Sequence, residues 1–263
     1  MGNVSYRGME NQIIIEGNLV SYLSKAGEKP EQCLLFLHGW RSQKEVWLPI
    51  VNHQITKSPN HSIYALDLPG FGSSPAPKVA WAVGDYAEIV KGFIQKLGLN
   101  NVIIIGHSFG GRVGIKFAAQ YPESISRLVL VDSAGFVDDS SKKRAMELTA
   151  KLAKPFFLPK FMQGLRRKIY KYIGADDYVA TPWLTETFVK VKNEDLSEEM
   201  KKISCPTFLI WGENDTDTPV GFGQRMHALI PNSKFLILKN AGHFGFLDKP
   251  EEFVSALFEF IKK

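Results

Sequence analysis

The sequence predicts an α/β fold built on a mostly parallel, eight-stranded sheet flanked by helices. Short β-rich runs alternate with longer helical patterns along the chain, the order that produces right-handed β–α–β crossovers. Some runs, such as Cys33–Leu37, are apolar at every position, as expected of parallel strands buried on both faces. The chain has 263 residues, 44% of them hydrophobic, which is sufficient for one large core.

Each predicted strand is a short run of apolar and β-branched residues, and each predicted helix has an apolar face. Only a Gly17–Asn18 turn separates the first two strands, so they are expected to form an antiparallel hairpin at one edge. The predicted strands are Gln12–Glu16, Leu19–Ser24, Leu34–Leu37, Ile63–Leu66, Val102–Ile105, Leu128–Val131, Thr207–Trp211 and Phe235–Leu238. The predicted helices are Val83–Leu97, Phe109–Gln120, Phe222–Leu229 and Glu251–Ile261.

The segment 137–202 interrupts this alternation. It contains helical patterns separated by prolines and glycines, but no strand pattern. Because it is far too long for an ordinary loop, we predict a helical cap inserted after the sixth strand. Residues 1–136 and 203–263 are then the two parts of the α/β core.

A pentapeptide at the end of the fifth strand indicates a catalytic nucleophile. Gly106-His107-Ser108-Phe109-Gly110 follows the apolar run Val102–Ile105 and opens the next helical pattern. A G-x-S-x-G sequence at a strand-to-helix turn is typical of a nucleophile elbow, which exposes a serine hydroxyl on a sharp turn. We therefore interpret Ser108 as the nucleophile, with His107 packed beneath the elbow.

Two further strand ends supply the groups that such a serine requires. A serine hydroxyl needs a general base, and a histidine base is oriented by a carboxylate. His243 follows the eighth strand and Asp215 the seventh, which reproduces the order serine, acid, histidine expected with this elbow. Asp217, in the same loop, and Asp132, at the end of the sixth strand, are alternative acids.

The tetrahedral intermediate of acyl transfer needs backbone N–H donors, each worth about 3–4 kcal/mol. The Phe109 amide directly follows the nucleophile. The Trp40 amide lies just beyond the third strand, in His38-Gly39-Trp40. These two amides are predicted to form the oxyanion hole, and His38 is predicted to shape its loop.

Together, these motifs resemble those of the α/β-hydrolase-fold serine hydrolases of the esterase type, over nearly the whole chain. The resemblance implies an eight-stranded sheet, a Ser-His-Asp triad and no cofactor. The motifs are the oxyanion loop His38-Gly39-Trp40, the turn Asp67-Leu68-Pro69-Gly70-Phe71-Gly72-Ser73-Ser74, the elbow with Gly111, the acid loop Trp211–Asp215 with Pro219, and the histidine loop Ala241-Gly242-His243-Phe244 with Pro250-Glu251.

The resemblance implies carboxylesterase-type cleavage of small to medium acyl esters. Relatives that dehalogenate or open epoxides use an aspartate where this chain has Ser108. Carbon–carbon bond hydrolases share the fold and triad order but usually carry Asn at the position of His107, so the resemblance favours that activity less. It is kept as an alternative, as is thioester hydrolysis. A sensor that retains the triad but signals through its cap is the non-enzymatic alternative.

Positive charge concentrates in the predicted cap. Residues 142–171 contain ten Lys/Arg and one acid, a net charge of +9 against +5 for the whole chain. These charges would face water, attract an anionic acyl substrate or make weak contact with an anionic membrane surface. The cap is expected to set substrate size, and Phe136, Phe157, Phe161 and Trp183 are the predicted walls of the substrate pocket.

The remaining sequence features limit the possible binding partners and the cellular compartment. No metal-binding motif or nucleic-acid-binding fold is recognisable, and no apolar stretch approaches the roughly 18 residues of a membrane span. The first residues do not resemble a signal peptide. Cys33 and Cys205, the only two cysteines, are interpreted as reduced core thiols rather than a disulfide. A small-molecule ester substrate and a cytoplasmic location are the resulting expectations.

Overall fold

An eight-stranded sheet forms the centre of the protein. A computed structural model describes residues 10–27, 31–52, 61–137 and 181–262. All eight predicted strands are present within these ranges, most of them one or two residues longer than predicted. The strands are β1 (Glu10–Ile15), β2 (Asn18–Lys25), β3 (Gln32–Leu37), β4 (His61–Leu66), β5 (Val102–His107), β6 (Arg127–Val131), β7 (Thr207–Gly212) and β8 (Ser233–Leu238).

The strand order is β1-β2-β4-β3-β5-β6-β7-β8. The β1–β2 and β2–β4 pairs are antiparallel, and the pairs from β4 to β8 are parallel. The predicted hairpin therefore lies at one edge of a mostly parallel sheet, which confirms the predicted fold class. Because β3, β5, β7 and β8 run in the same direction, the residues that follow them meet at one edge.

Successive residues of the central strands enter two separate cores. Leu35 and Leu37 of β3 pack on one face, while Leu34 and Phe36 pack on the other. All four side chains are fully buried. This burial explains why the strand is apolar at consecutive positions rather than at alternate ones.

Helices cover both faces of the sheet, and the four predicted helices are all present. The others are short pieces that follow no long apolar period. Among the described residues, the helices are α1 (Leu48–Asn52), α2 (Val83–Lys96), α3 (Phe109–Gln120), α4 (Thr185–Lys192), α5 (Ser197–Lys202), α6 (Val220–Leu229), α7 (Gly245–Asp248) and α8 (Pro250–Ile261), with 3₁₀ turns at Lys44–Trp47, Pro122–Ser124 and Pro182–Leu184.

The two ends of the 137–202 segment are held together by Arg112 of α3. Its buried guanidinium donates hydrogen bonds to the Glu194 carbonyl oxygen at 2.6 Å and the Phe136 carbonyl oxygen at 2.8 Å. The Leu196 amide also donates to the Gly135 carbonyl oxygen, at 2.9 Å. Residues 138–180, which include the basic segment 142–171, lie outside the described residues, so the cap stays a prediction.

Candidate active site

Ser108 lies on a strained turn between β5 and α3. Its φ of 51° and ψ of −109° fall outside the regions that L-residues favour, a feature that concentrates at functional sites. Glycines make the turn possible, because a Cβ at Gly110 would lie 2.4 Å from the Leu37 carbonyl oxygen, and one at Gly106 would lie 2.4 Å from the Gly110 carbonyl oxygen. The sharp turn leaves the Ser108 side chain only partly buried.

The loop after β3 packs directly against this turn. A Cβ at Gly39 would lie 3.2 Å from the Ser108 Cβ. His38 Nε2 accepts a hydrogen bond from the Leu68 amide at 3.0 Å, so its Nδ1 carries the proton and donates to the Gly39 carbonyl oxygen at 2.7 Å. His38 therefore shapes this loop, as interpreted from the sequence.

The two amides predicted to bind the oxyanion donate to no acceptor among the described residues. Over residues 10–27, 31–52, 61–137 and 181–262, neither the Trp40 N–H nor the Phe109 N–H donates to a protein acceptor. An unpaired N–H at the first position of a helix is ordinary, because it has no intrahelical partner. Neither donor is therefore committed to an acceptor within these ranges.

Asp67 fixes the neighbouring turn after β4. Its fully buried carboxylate accepts hydrogen bonds from the Lys44 amide at 2.7 Å, the Ser73 amide at 2.8 Å and the Lys44 ammonium at 2.8 Å. A Cβ at Gly72 would lie 2.3 Å from this carboxylate, so the turn closes around it. Asp67 is thus structural, and it anchors the residues that flank the oxyanion loop.

The loops after β7 and β8 bring Asp215 and His243 into contact. Asp215 Oδ2 lies 2.9 Å from His243 Nδ1. The Asp217 and Thr218 amides donate to Asp215 Oδ1 at 2.8 and 3.0 Å, and the Thr218 hydroxyl donates to Oδ2 at 2.7 Å. The carboxylate is therefore held on both oxygens, and His243 presents its other nitrogen, Nε2, away from the acid.

His243 lies beside the elbow. Its carbonyl oxygen is 2.8 Å from Nε2 of His107, the residue that precedes Ser108. In the described part of the chain, the Ser108 hydroxyl itself makes no hydrogen bond, and catalytic hydrogen bonds often tighten only when substrate binds. The structure thus joins the Asp215 carboxylate directly to the His243 imidazole and places the Ser108 turn next to His243.

The Asp215–His243 contact shifts the pKa of both side chains. Burial lowers the pKa of His243, but the hydrogen bond and charge of Asp215 outweigh it, so the net pKa is raised above 6.5. Burial raises the pKa of Asp215, but hydrogen bonds from His243 and Thr218 outweigh it and the net pKa is lowered. Asp215 therefore stays ionised over the range in which His243 titrates.

These shifts predict the pH dependence of activity. A general base must be neutral to accept a proton, so kcat/KM for an ester should rise with pH and reach half its plateau above pH 6.5, the ordinary pKa of a histidine. A pH–rate profile with a p-nitrophenyl ester measures this limb. A profile that is flat from pH 5 to pH 8 would contradict the assignment of His243 as the base.

The alternative acids occupy other positions. Asp132 Oδ1 accepts a hydrogen bond from the Gly212 amide at 2.7 Å, and Oδ2 accepts one from the Gly245 amide at 3.4 Å. Burial raises the pKa of Asp132 to about 8. Asp132 thus ties the end of β7 to the start of α7, whereas the side chain of Asp217 is exposed.

Thr218 is a site residue that sequence reasoning missed. Its hydroxyl lies 2.7 Å from Asp215 Oδ2, 2.9 Å from the Asp132 carbonyl oxygen and 3.4 Å from His243 Nδ1. The signal was the spacing, because a carboxylate that accepts the amides two and three residues later is a common turn motif. Asp215, Asp217 and Thr218 have that spacing.

The residues predicted to form pocket walls fall in different places. Phe136 is buried. Its ring centroid lies 5.5 Å from that of Phe222 and 4.0 Å from the Arg225 guanidinium carbon. Trp183 is 62% exposed, and its indole N–H donates to the Gly70 carbonyl oxygen at 3.3 Å. Phe157 and Phe161 lie outside the described residues.

An aromatic cluster that was not predicted adjoins the oxyanion loop. The Trp40 ring centroid lies 4.9 Å from that of Phe71 and 5.1 Å from those of Phe109 and Phe188. The Trp40 indole N–H donates to the Thr181 hydroxyl at 3.3 Å. The cluster thus links the core to the described part of the 137–202 segment.

The described ranges contain no group of three or more His, Cys, Asp or Glu side chains placed to bind a metal ion. They also contain no helix that is both long enough and apolar enough to cross a membrane. Cys33 and Cys205 are both buried and unpaired with each other.

The sheet topology, the serine on its strained turn and the Asp–His pair at the same edge define an α/β-type hydrolase. The chain belongs to the alpha/beta hydrolase family, whose model matches residues 34–256. This membership confirms the resemblance found in the motifs.

Individual relatives are distant. YugF, an uncharacterized hydrolase of Bacillus subtilis, is 28% identical over 249 residues, or 88% of this chain and 90% of that protein. A pimeloyl-acyl-carrier-protein methyl ester esterase of Nitrosomonas europaea is 28% identical over 253 residues, or 89% of this chain and 96% of that protein. The structure of the esterase EaEST from Exiguobacterium antarcticum has a TM-score of 0.77 and 22% identity, covering 97% of this chain and 100% of that one.

Proposed function

We propose that this protein is a cytoplasmic serine carboxylesterase that cleaves small to medium acyl esters. The observation that carries the proposal is the 2.9 Å contact between Asp215 and His243, formed beside a serine on a strained strand-to-helix turn. The esterase named among the relatives supports the same reaction class.

In the proposed mechanism, Ser108 Oγ attacks the ester carbonyl while His243 Nε2 takes its proton. Asp215 holds the imidazole with Nδ1 protonated and stabilises the imidazolium that forms. The Trp40 and Phe109 amides donate to the oxyanion. The carbon–oxygen bond to the alcohol then breaks, and His243 returns the proton to the leaving alkoxide.

Hydrolysis of the acyl-enzyme repeats these steps with water. His243 deprotonates the water, which attacks the acyl carbonyl, and the bond to Ser108 Oγ breaks. The serine recovers its proton from His243, and the carboxylic acid leaves. No step requires a group outside the chain other than ester and water.

A substrate panel tests the proposal. We expect multiple turnovers with p-nitrophenyl esters, and higher kcat/KM for these than for acyl-CoA thioesters or a vinylogous diketone of matched acyl length. Preference for the thioester or the diketone would replace the proposal with thioester or carbon–carbon hydrolysis. A single slow turnover that leaves Ser108 acylated would indicate the triad-retaining sensor.

A further inference from the structure

His107 occupies a position that the mechanism above does not use. It is the last residue of β5, adjoins Ser108 in sequence and is 1% exposed. Its Nε2 lies 2.8 Å from the His243 carbonyl oxygen. Since a carbonyl oxygen can only accept, Nε2 must carry the proton, and His107 donates a hydrogen bond to the main chain of the catalytic base.

The His107 ring also contacts two of the loops that build the site. Its centroid lies 4.8 Å from the centroids of His243 and Phe244 in the histidine loop, and 5.2 Å from that of Phe246 in α7. On its other side, a Cβ at Gly39 would lie 2.9 Å from His107 Nδ1. The imidazole therefore contacts both the oxyanion loop and the histidine loop.

The second ring nitrogen indicates which contact is important. Within the described part of the chain, Nδ1 is buried and has no hydrogen-bond partner. Leaving a buried acceptor unpaired is unfavourable, and a phenyl ring would fill the same space without that cost. The presence of a histidine here is explained by the bond from Nε2.

The charge state of His107 suits this role. Burial lowers its pKa to about 3, and the nearby charge of His243 acts in the same direction. Asp215 and His38 are the other titratable groups whose charges act on it. Because the His107 ring is neutral, it can hydrogen-bond to His243 without electrostatic repulsion of the His243 imidazolium that forms during catalysis.

We propose that His107 is a positioning residue for the ester hydrolysis inferred above: its Nε2–H fixes the His243 main chain so that the imidazole faces both Asp215 and Ser108. The role rests on the proposed function, because it acts through the base of that reaction. His107 contributes through this hydrogen bond and does not touch the reacting atoms.

Three substitutions separate the hydrogen bond from the volume of the ring. The amide nitrogen of glutamine reaches the position of Nε2, that of asparagine reaches only the position of Nδ1, and phenylalanine keeps the ring without a donor. We expect His107→Phe and His107→Asn to lower kcat about 10–100-fold, the range for a misplacement of about 1 Å, with little change in KM. His107→Gln should retain most of the wild-type kcat.

The pH profile distinguishes positioning from general stability. When His243 loses its alignment with Asp215, the carboxylate raises its pKa less, so the kcat/KM limb of His107→Phe should move to lower pH. Thermal unfolding confirms that each variant is folded. His227→Phe is the matched control. His227 is exposed on α6, and its ring nitrogen hydrogen-bonds the Ser233 hydroxyl. This variant should keep the wild-type kcat and the wild-type pH dependence of kcat/KM.

The outcomes separate the two proposals. Wild-type protein that turns over no ester would overturn the proposed function. Wild-type turnover matched by His107→Phe, or an equal loss in His107→Gln and His107→Phe, would overturn the positioning role. ¹⁵N NMR of the imidazoles tests it independently of activity: an Nε2–H tautomer for His107 at neutral pH is expected, and an Nδ1–H tautomer or a protonated ring would overturn it.

Discussion

Replacing Ser108 by alanine is expected to lower kcat for a p-nitrophenyl ester by about 10⁴–10⁶-fold, the range found when a triad nucleophile is removed. No acyl-enzyme can form without the hydroxyl. The residual rate would come from substrate binding and from the Trp40 and Phe109 amides, which the substitution leaves in place. Initial-rate kinetics with wild type and variant measure the loss, and covalent labelling by a fluorophosphonate should disappear with it.

A nearby serine provides the matched control. Ser133 is buried against the start of α3, where a Cβ at Gly111 would lie 2.0 Å from its hydroxyl. Among the described residues, its hydroxyl donates only to the adjacent Ala134 carbonyl oxygen, at 2.8 Å. Ser133→Ala should therefore keep turnover and labelling. Wild-type kcat in Ser108→Ala would disprove the nucleophile assignment.

The second large effect is expected at the acid. Asp215→Asn should lower kcat by about 10⁴-fold, because an amide in place of the carboxylate favours the wrong imidazole tautomer and does not stabilise the imidazolium. The pH limb of the residual activity should also fall toward the ordinary histidine value, since the carboxylate that raises the pKa of His243 is gone.

Asp132→Asn is the informative comparison. The Asp132 carboxyl group accepts from the Gly212 and Gly245 amides, and the oxygen of asparagine retains the shorter of those bonds. We expect kcat to fall by less than about tenfold, because His243 keeps its partner Asp215. If Asp132→Asn were the more damaging change, the acid of the triad would be Asp132, and Asp215 would have the structural role.

The sheet was predictable because its strands are marked locally. Val102–Ile105 is apolar at every position, which predicts a strand buried on both faces, and the Gly17–Asn18 turn predicts the hairpin. Helix α3 was predicted to the residue, since the elbow sets its start and Pro122 follows its end. Helices α1 and α7 were not predicted, because four or five residues are too few for an apolar period and packing alone stabilises them.

The candidate site, like the fold, was predictable only in part. Parallel topology places Ser108, Asp215 and His243 at one edge, so their proximity followed from strand order. The contacts around them did not follow, because the Thr218 hydroxyl, the Asp132 carboxylate and the His107 ring are positioned by packing between segments far apart in sequence. Pocket walls depend still more on such packing, which no local pattern records.

The Arg112 contacts have a consequence for how this protein can diversify. One guanidinium of α3 holds both Phe136 and Glu194, so these two residues stay side by side, while Thr181 and Phe188 before Glu194 make further contacts with Trp40. An insert with joined ends can change length at small entropic cost, since each doubling of a loop costs only about 0.6 kcal/mol. Exchange of residues 138–180 between homologues should thus alter substrate range, while the edge that bears Ser108 and its contacts with residues 181–193 are retained.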